Sequence, residues 1–480
     1  MIGLSRLGQI RLSLGAHGFA LALCAIVLLA GALRVYELDY QSLWSDEVIS
    51  LKTTDPTLSF REFWDRVLAD THPPIYYLLL RLSSSVFGQS VLAARALSAV
   101  LGILTLCAAA TLPGSSLSRT ARLALPLLIA ASPGAAWYDR EARSYALLLL
   151  LSTVITLASV RFLRAKVQED CQARHAILML IVAALLASFT HYFGFLLAAA
   201  AFLTCFLLTE RRRMAMVAWA GCSLVVSFVP WLAYHFQFID VGRVTWIRAF
   251  PIVASLNWFA FLAFGGVVSL ALFVSTAAVL LATGGRHRLA AWNSTVFACA
   301  LLCLLVLTAA AAISLYMPVL TSRNMIVALP ALYVIAAELT SGLVSCWGKL
   351  AGVPYLVAQV GLMGQSVVWY YTAEINDQWR DSAAFVLHTP GCERGPIAVY
   401  GSSEIYRFFT KSVRPELRLI EIPAEAAADL GSWPTTSCPI LLWAVEVAAW
   451  DLDQLLARLG LSHSGFEMVE YHNAFVVLRK

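Results

Sequence analysis

Charge is scarce in this sequence. Of 480 residues only 13% are Asp, Glu, Lys or Arg, 60% are hydrophobic, and the mean hydropathy is +0.75. A soluble domain carries roughly 25% charged residues. A soluble fold is therefore excluded for most of the chain, and a polytopic membrane protein is expected. No Cys-x-x-Cys pair or His/Cys cluster points to a metal site. No Gly-rich loop suits a nucleotide's phosphates. There is no internal repeat, no low-complexity linker, and nothing that points to nucleic acid. No cleavable signal peptide is evident: the apolar run Phe19–Ala32 follows a basic start but lacks a clean small-residue cleavage site, so it reads as a retained first span. Most of the ten cysteines sit inside apolar runs, where they are small packing residues.

What is present is a series of long apolar stretches. Counting segments of roughly 17–25 apolar residues gives about eleven spans. They fall near 16–37, 90–112, 120–137, 144–163, 175–190, 192–209, 214–236, 257–282, 291–315, 322–344 and 350–371. Ile75–Phe87 is apolar but too short and carries Arg81, so it reads as an interfacial or re-entrant helix. The short connections holding Arg6 and Arg11, Arg119 and Arg122, Arg164, Lys166 and Arg174, Arg211–Arg213, Arg286 and Arg288, and Lys349 are basic and hence cytoplasmic. An odd number of spans then leaves the N-terminus inside and the tail outside.

That sidedness sorts the polar groups. Asp46, Glu47, His72, Glu141, Arg143, His191 and Arg323 all emerge at the extracytoplasmic face. A transporter places ionisable groups near mid-bilayer, whereas these spans are nearly free of charge, with Arg95 and Glu338 as exceptions. The chain divides at about residue 371. Residues 1–371 form the membrane module with a polar first loop, 38–74, and 372–480 read as a small α/β domain. In that tail Ile397–Tyr400, Ile440–Val445 and Ala474–Leu478 are strand-like, and Asp381–His388, Glu404–Lys411 and Leu452–Leu459 are helix-like. An oxidising compartment predicts a Cys392–Cys438 disulfide.

Three outer features carry chemistry. Asp46 can accept a proton from an attacking hydroxyl or amine, although a lone loop acid is ordinarily just solvated. Trp44 beside it offers a ring suited to a sugar face or a headgroup, and Pro73-Pro74 fix the backbone after His72. Residues 137–145, Trp-Tyr-Asp-Arg-Glu-Ala-Arg-Ser-Tyr, open a span, with Glu141 and Tyr145 four apart on one face; an interfacial anchor is the equal alternative. Arg323 opens another span, where helix amides and a guanidinium suit phosphate. Lys52, Arg61, Arg66, Arg243 and Arg248 read as surface charges. Asp46 and Glu47 leave a divalent cation open, but no full ligand set is visible.

Taken in order, Trp44-x-Asp46-Glu47, His72-Pro73-Pro74-x-Tyr76-Tyr77, Tyr138-x-x-Glu141-Ala142-Arg143-x-Tyr145, Thr190-His191-Tyr192-Phe193-Gly194, and Ser322-Arg323 ahead of Leu329-Pro330-Ala331-Leu332 resemble bacterial glycosyltransferases of the GT-C superfamily. The branch is the one with protein O-mannosyltransferases and the lipid A aminoarabinose transferase, and the resemblance runs over roughly 30–345. It implies a polytopic enzyme of the bacterial inner membrane that takes a sugar from a polyprenyl-phosphate carrier at the outer face, generally with inversion. The acceptor it implies is a glycan such as lipopolysaccharide, a glycolipid or a protein. Asp46 would be the base, Glu47 its support, and Arg323, His72 and Arg143 the donor-phosphate contacts. Trp44, Glu141, Tyr145 and His191 would face sugar or acceptor. The aminoarabinose branch has Lys where this chain has His72, which argues against a close assignment to that enzyme. A lipid or small-molecule transporter is the rival reading; a membrane assembly protein that binds a partner through its tail is another.

Overall fold

The computed structural model describes residues 2–166, 168–238, 252–283, 286–317, 319–410, 413–423, 430, 437–447, 449–461 and 465–480. Two compact units emerge. The first comprises Met1–Leu38 and Thr53–Thr372; the second comprises Asp39–Lys52 and Ala373–Lys480.

The first unit is helical. Eight of its described helices are long and apolar enough to cross a membrane: His17–Val35, Val91–Thr111, Tyr145–Arg164, Asp170–Ser188, Arg211–His235, Ser294–Ser314, Asn324–Trp347 and Lys349–Thr372. Each coincides with an expected span. The other three expected spans take different forms. The stretch near 120–137 breaks into Arg119–Ala131 and Pro133–Tyr138, because Pro133 lacks an N–H and forces Ser132 into an extended conformation. Tyr192–Leu208 has 17 residues, at the lower limit for a crossing. The stretch near 257–282 is a pair, Val253–Phe264 and Val267–Thr283, bent by 76°. Gly265 and Gly266 make the bend at φ 73° and 134°, a region that favours glycine. A Cβ on Gly265 would also come within 2.9 Å of the Met363 Cα.

Ile75–Phe87 is a 13-residue helix, as its length and composition suggested. Arg81 donates to the carbonyls of Asp55 and Leu58 and lies over the Phe63 ring. Large apolar side chains such as Leu28, Leu29, Trp219 and Leu350 are exposed, as expected where the solvent is lipid. Charges within the helical body are bound to main-chain groups. Arg34, fully buried, meets Asp139 at 3.1 Å and donates to the carbonyls of Ile129 and Ala130. Arg95 donates to the Leu38 carbonyl, and Glu338 accepts from the Ser118 amide. Removing one partner of such a buried pair costs about 3–5 kcal/mol, so these charges are structural rather than steps of a polar path.

In the second unit five strands form one sheet. They are β1 (Ile397–Tyr400), β2 (Leu419–Glu421), β3 (Ile440–Val445), β4 (Phe466–Tyr471) and β5 (Ala474–Arg479), in the order β2-β1-β3-β5-β4. β1 runs parallel to β2 and β3, and β5 pairs antiparallel with β3 and β4. Side chains alternate across the sheet. Ile397, Val399, Trp443 and Val445 pack with Trp379, Val386, Ile405 and Tyr406, whereas Ala398, Leu442 and Ala444 pack with Leu452, Leu455 and Leu456. Helices Trp379–His388 and Ser403–Thr410 thus cover one face and Ala449–Arg458 the other. The expected strands and helices are all present; β2 and β4 are additional. Cys392 and Cys438 are disulfide-bonded.

Candidate active site

In the first unit the chemistry sits on turns between helices. His72 follows helix Phe60–Ala69, Arg143 precedes Tyr145–Arg164, and His191 caps Tyr192–Leu208. These turns converge. The rings of His72 and His191 are 5.1 Å apart, Tyr145 is 6.0 Å from His191, and Arg143 Nη2 lies 3.5 Å from both ring nitrogens of His72. Arg143 Nη1 also reaches the Tyr77 hydroxyl at 3.4 Å.

His72 is held from one side by Asp70. A single Asp70 oxygen accepts from the His72 backbone N–H at 3.0 Å and lies 2.9 Å from Nδ1. The first bond is an Asx turn, in which an Asp side chain bonds the backbone two residues on. Pro73-Pro74 follow directly, and the next free amide, Ile75, donates to the Phe189 carbonyl. Burial pushes the Asp70 carboxyl up, but the bond and charge of His72, the charge of Arg143 and the Tyr77 hydroxyl together hold it well below the usual carboxylate range.

His191 is different. Its Nδ1 accepts the Phe193 amide at 3.1 Å, so in the neutral ring the proton is on Nε2. Burial, then the charges of His72 and Arg143, push its pKa well below the ordinary histidine value. The group is therefore a neutral Nε2–H donor. A fixed guanidinium, an imidazole held by a carboxylate and a neutral N–H donor are a set suited to an anion with several oxygens.

Arg323 caps the short turn Asn324–Ala328 and is half-buried. Its charge, like that of Glu141, acts on the Tyr138 hydroxyl, and the Tyr138 ring lies 4.8 Å from that of Tyr145. Glu141 departs from expectation. It lies in the turn before the helix that Tyr145 begins, so the two share no helical face. Its carboxylate accepts the Trp137 indole N–H at 2.6 Å, and its carbonyl accepts from Ser98. Trp137 stacks on Tyr370 at 4.7 Å. Arg61 and Arg66 are exposed, as surface charges should be; Arg243 and Arg248 lie outside the described residues.

The acid pair belongs to the second unit. Asp46 and Glu47 stand in the first turn of helix Ser45–Thr53, where the helix dipole favours carboxylates. Glu47 is fully buried and accepts the Trp44 amide at 3.4 Å, so it caps the helix it belongs to. Trp44 and Asp46 are partly exposed. Burial, then the charges of Asp377 and Asp46, raise the pKa of Glu446 above its ordinary value; Asp46 and Glu446 thus feel each other's charge within one unit. Among the described residues no group of three or more His, Cys, Asp and Glu is arranged to hold a metal ion.

The segment leading to Asp46 is held by the tail. Gln41 Oε1 accepts the amides of Ile375 and Asn376, and its Nε2 donates to the Ala373 carbonyl at 2.6 Å. Arg380 donates to the carbonyls of Asp39 and Tyr40 at 2.6 and 3.0 Å, and Asn376 to that of Ser42. Sequence reasoning missed Asp70, Gln41 and Arg380. Only Asp70 had a local signal, the Asp-x-His spacing ahead of two prolines.

Residues 71–234 match the family described as dolichyl-phosphate-mannose-protein mannosyltransferase. No curated protein sequence matches the chain. Among solved structures, ArnT from Cupriavidus metallidurans in the apo state is similar with a TM-score of 0.59 at 12% identity, over 96% of this chain and 98% of that one. The same protein bound to undecaprenyl phosphate gives 0.55 at 15% identity, with the same coverage. The Archaeoglobus fulgidus oligosaccharyltransferase AglB, in complex with an inhibitory peptide and a dolichol-phosphate, gives 0.51 at 10% identity, over 97% and 74%. The chain thus shares the fold of ArnT and AglB, and residues 71–234 resemble the mannosyltransferase family.

Proposed function

We propose that this multi-pass membrane protein of GT-C fold is a glycosyltransferase that moves a sugar from a polyprenyl-phosphate donor to a cell-envelope acceptor at the outer face of the bacterial inner membrane, with inversion. The observation that carries the reading is the grouping of His72, Arg143 and His191 on turns at the ends of apolar helices. Such a position suits a ligand whose charged head stays at the interface while its tail lies in the hydrocarbon. That the same fold holds undecaprenyl phosphate in ArnT supports the donor class.

In the reaction the acceptor oxygen or nitrogen attacks the anomeric carbon. Its proton passes to Asp46, and the anomeric C–O bond to phosphate breaks with its electron pair going to the leaving polyprenyl phosphate. Arg143, His72 and Arg323 stabilise the charge that develops on that phosphate. Trp44, Glu141, Tyr145 and His191 contact sugar or acceptor, and Glu47 supports Asp46. The N-terminus is cytoplasmic and the tail periplasmic in this scheme.

The test compares envelope glycolipids and glycoproteins by mass spectrometry in cells with the protein, without it, and with Asp46→Asn. A sugar-sized mass difference that disappears equally in the null and the variant is expected. Identical profiles in all three would refute the enzyme reading, and loss in the null alone would remove Asp46 from it.

A further inference from the structure

Two nitrogens of the His72 ring meet different surroundings. Nδ1 is 2.9 Å from Asp70, a normal hydrogen bond, whereas Arg143 Nη2 is 3.5 Å from either nitrogen, beyond the usual 2.7–3.2 Å range. The ring is therefore fixed by the acid, and the guanidinium only faces it. An ionised Asp70 requires the proton on Nδ1, which leaves Nε2 to accept when neutral and to donate when protonated.

We propose that Asp70 is a positioning residue for donor binding: it holds His72 by Nδ1 so that Nε2 and the Arg143 guanidinium grip one phosphate oxygen pair, and the grip tightens as the ring takes up a proton. This rests on the proposed donor class. The groups that face His72 are Asp70 and the Thr71 hydroxyl from its own segment, Arg143, and His191. Tyr77, from helix Ile75–Phe87, acts through Arg143 and Asp70, and the charge of Asp70 also reaches Tyr192 and His235. Anion binding favours the protonated ring, so affinity is expected to be higher at the acid end of the range and to fall as pH rises.

The test measures binding of undecaprenyl phosphate to the full chain in nanodiscs from pH 5.5 to 8.5. It uses wild type, Asp70→Asn, His72→Lys and the double variant. His72→Lys carries a permanent charge, so the ratio of wild-type to His72→Lys affinity cancels the lipid phosphate's own titration. That ratio is expected to fall as pH rises across this range. Asp70→Asn is expected to weaken binding at pH 6 about tenfold and to flatten the ratio, while adding less than a twofold change on top of His72→Lys. An unchanged profile in Asp70→Asn overturns the proposal. An equal loss on the His72→Lys background overturns it too, because Asp70 would then act on the fold and not through the ring. Absence of binding by wild type at every pH overturns the donor class, and this inference with it.

Discussion

The two units hold their chemistry in opposite ways. In the helical unit, His72 is gripped side chain to side chain by Asp70 and faced by Arg143, and both of those anchors are buried. In the other unit, the Gln41 side chain of the segment before Asp46 binds main-chain groups of the tail, and Asn376 and Arg380 bind main-chain oxygens of the segment. A side-chain grip specifies protonation and charge; a main-chain grip specifies only path. The first suits the recognition of an anion, and the second holds the chain around a carboxylate in one path.

The comparison is tested most severely at Asp46. Asp46→Asn is expected to lower transfer by roughly 10²–10⁴-fold while undecaprenyl phosphate binding stays within twofold; a parallel loss of binding would show that the two functions are not divided in this way. Next comes Arg143→Ala, expected to weaken that binding by roughly 10–100-fold, since a charged hydrogen bond contributes about 1.5–3 kcal/mol. Wild-type affinity in this variant would remove the guanidinium from the phosphate site. Arg380→Ala should lower kcat by about tenfold without moving the donor's KM, and Arg380→Lys should recover part of it. A change confined to KM would contradict a path-setting role. Cys392→Ser with Cys438→Ser should lower the stability of the tail by about 2–4 kcal/mol, read as an earlier denaturant transition, again without loss of lipid binding. At the small end, Arg61→Ala, at an exposed position, should shift stability by less than about 0.5 kcal/mol.

Much of this was legible in one dimension. Apolar length marked eight crossing helices, and the shortness of Ile75–Phe87 marked a helix that stops short. Alternation and turn chemistry marked the central strands of the tail. The ordered motifs marked His72, Arg143, His191 and Arg323. What escaped depends on geometry that a sequence does not print. The break at Ser132 turned on one proline inside an apolar run, and the bend at Gly265–Gly266 on two adjacent glycines. Glu141 and Tyr145 have helical spacing, but the helix begins only at Tyr145. Gln41 and Arg380 are separated from their partners by more than three hundred residues, and nothing local to either announces the pairing.

The hold on the segment before Asp46 has an evolutionary corollary. Arg380 reads the carbonyls of Asp39 and Tyr40, and every residue presents the same carbonyl. Those two positions are free to drift in identity, and homologues can diverge there without loosening the attachment. A one-residue deletion between Leu38 and Gln41 has no such latitude: it would put each acceptor out of step with its donor at once. Length, rather than spelling, is what this stretch must conserve.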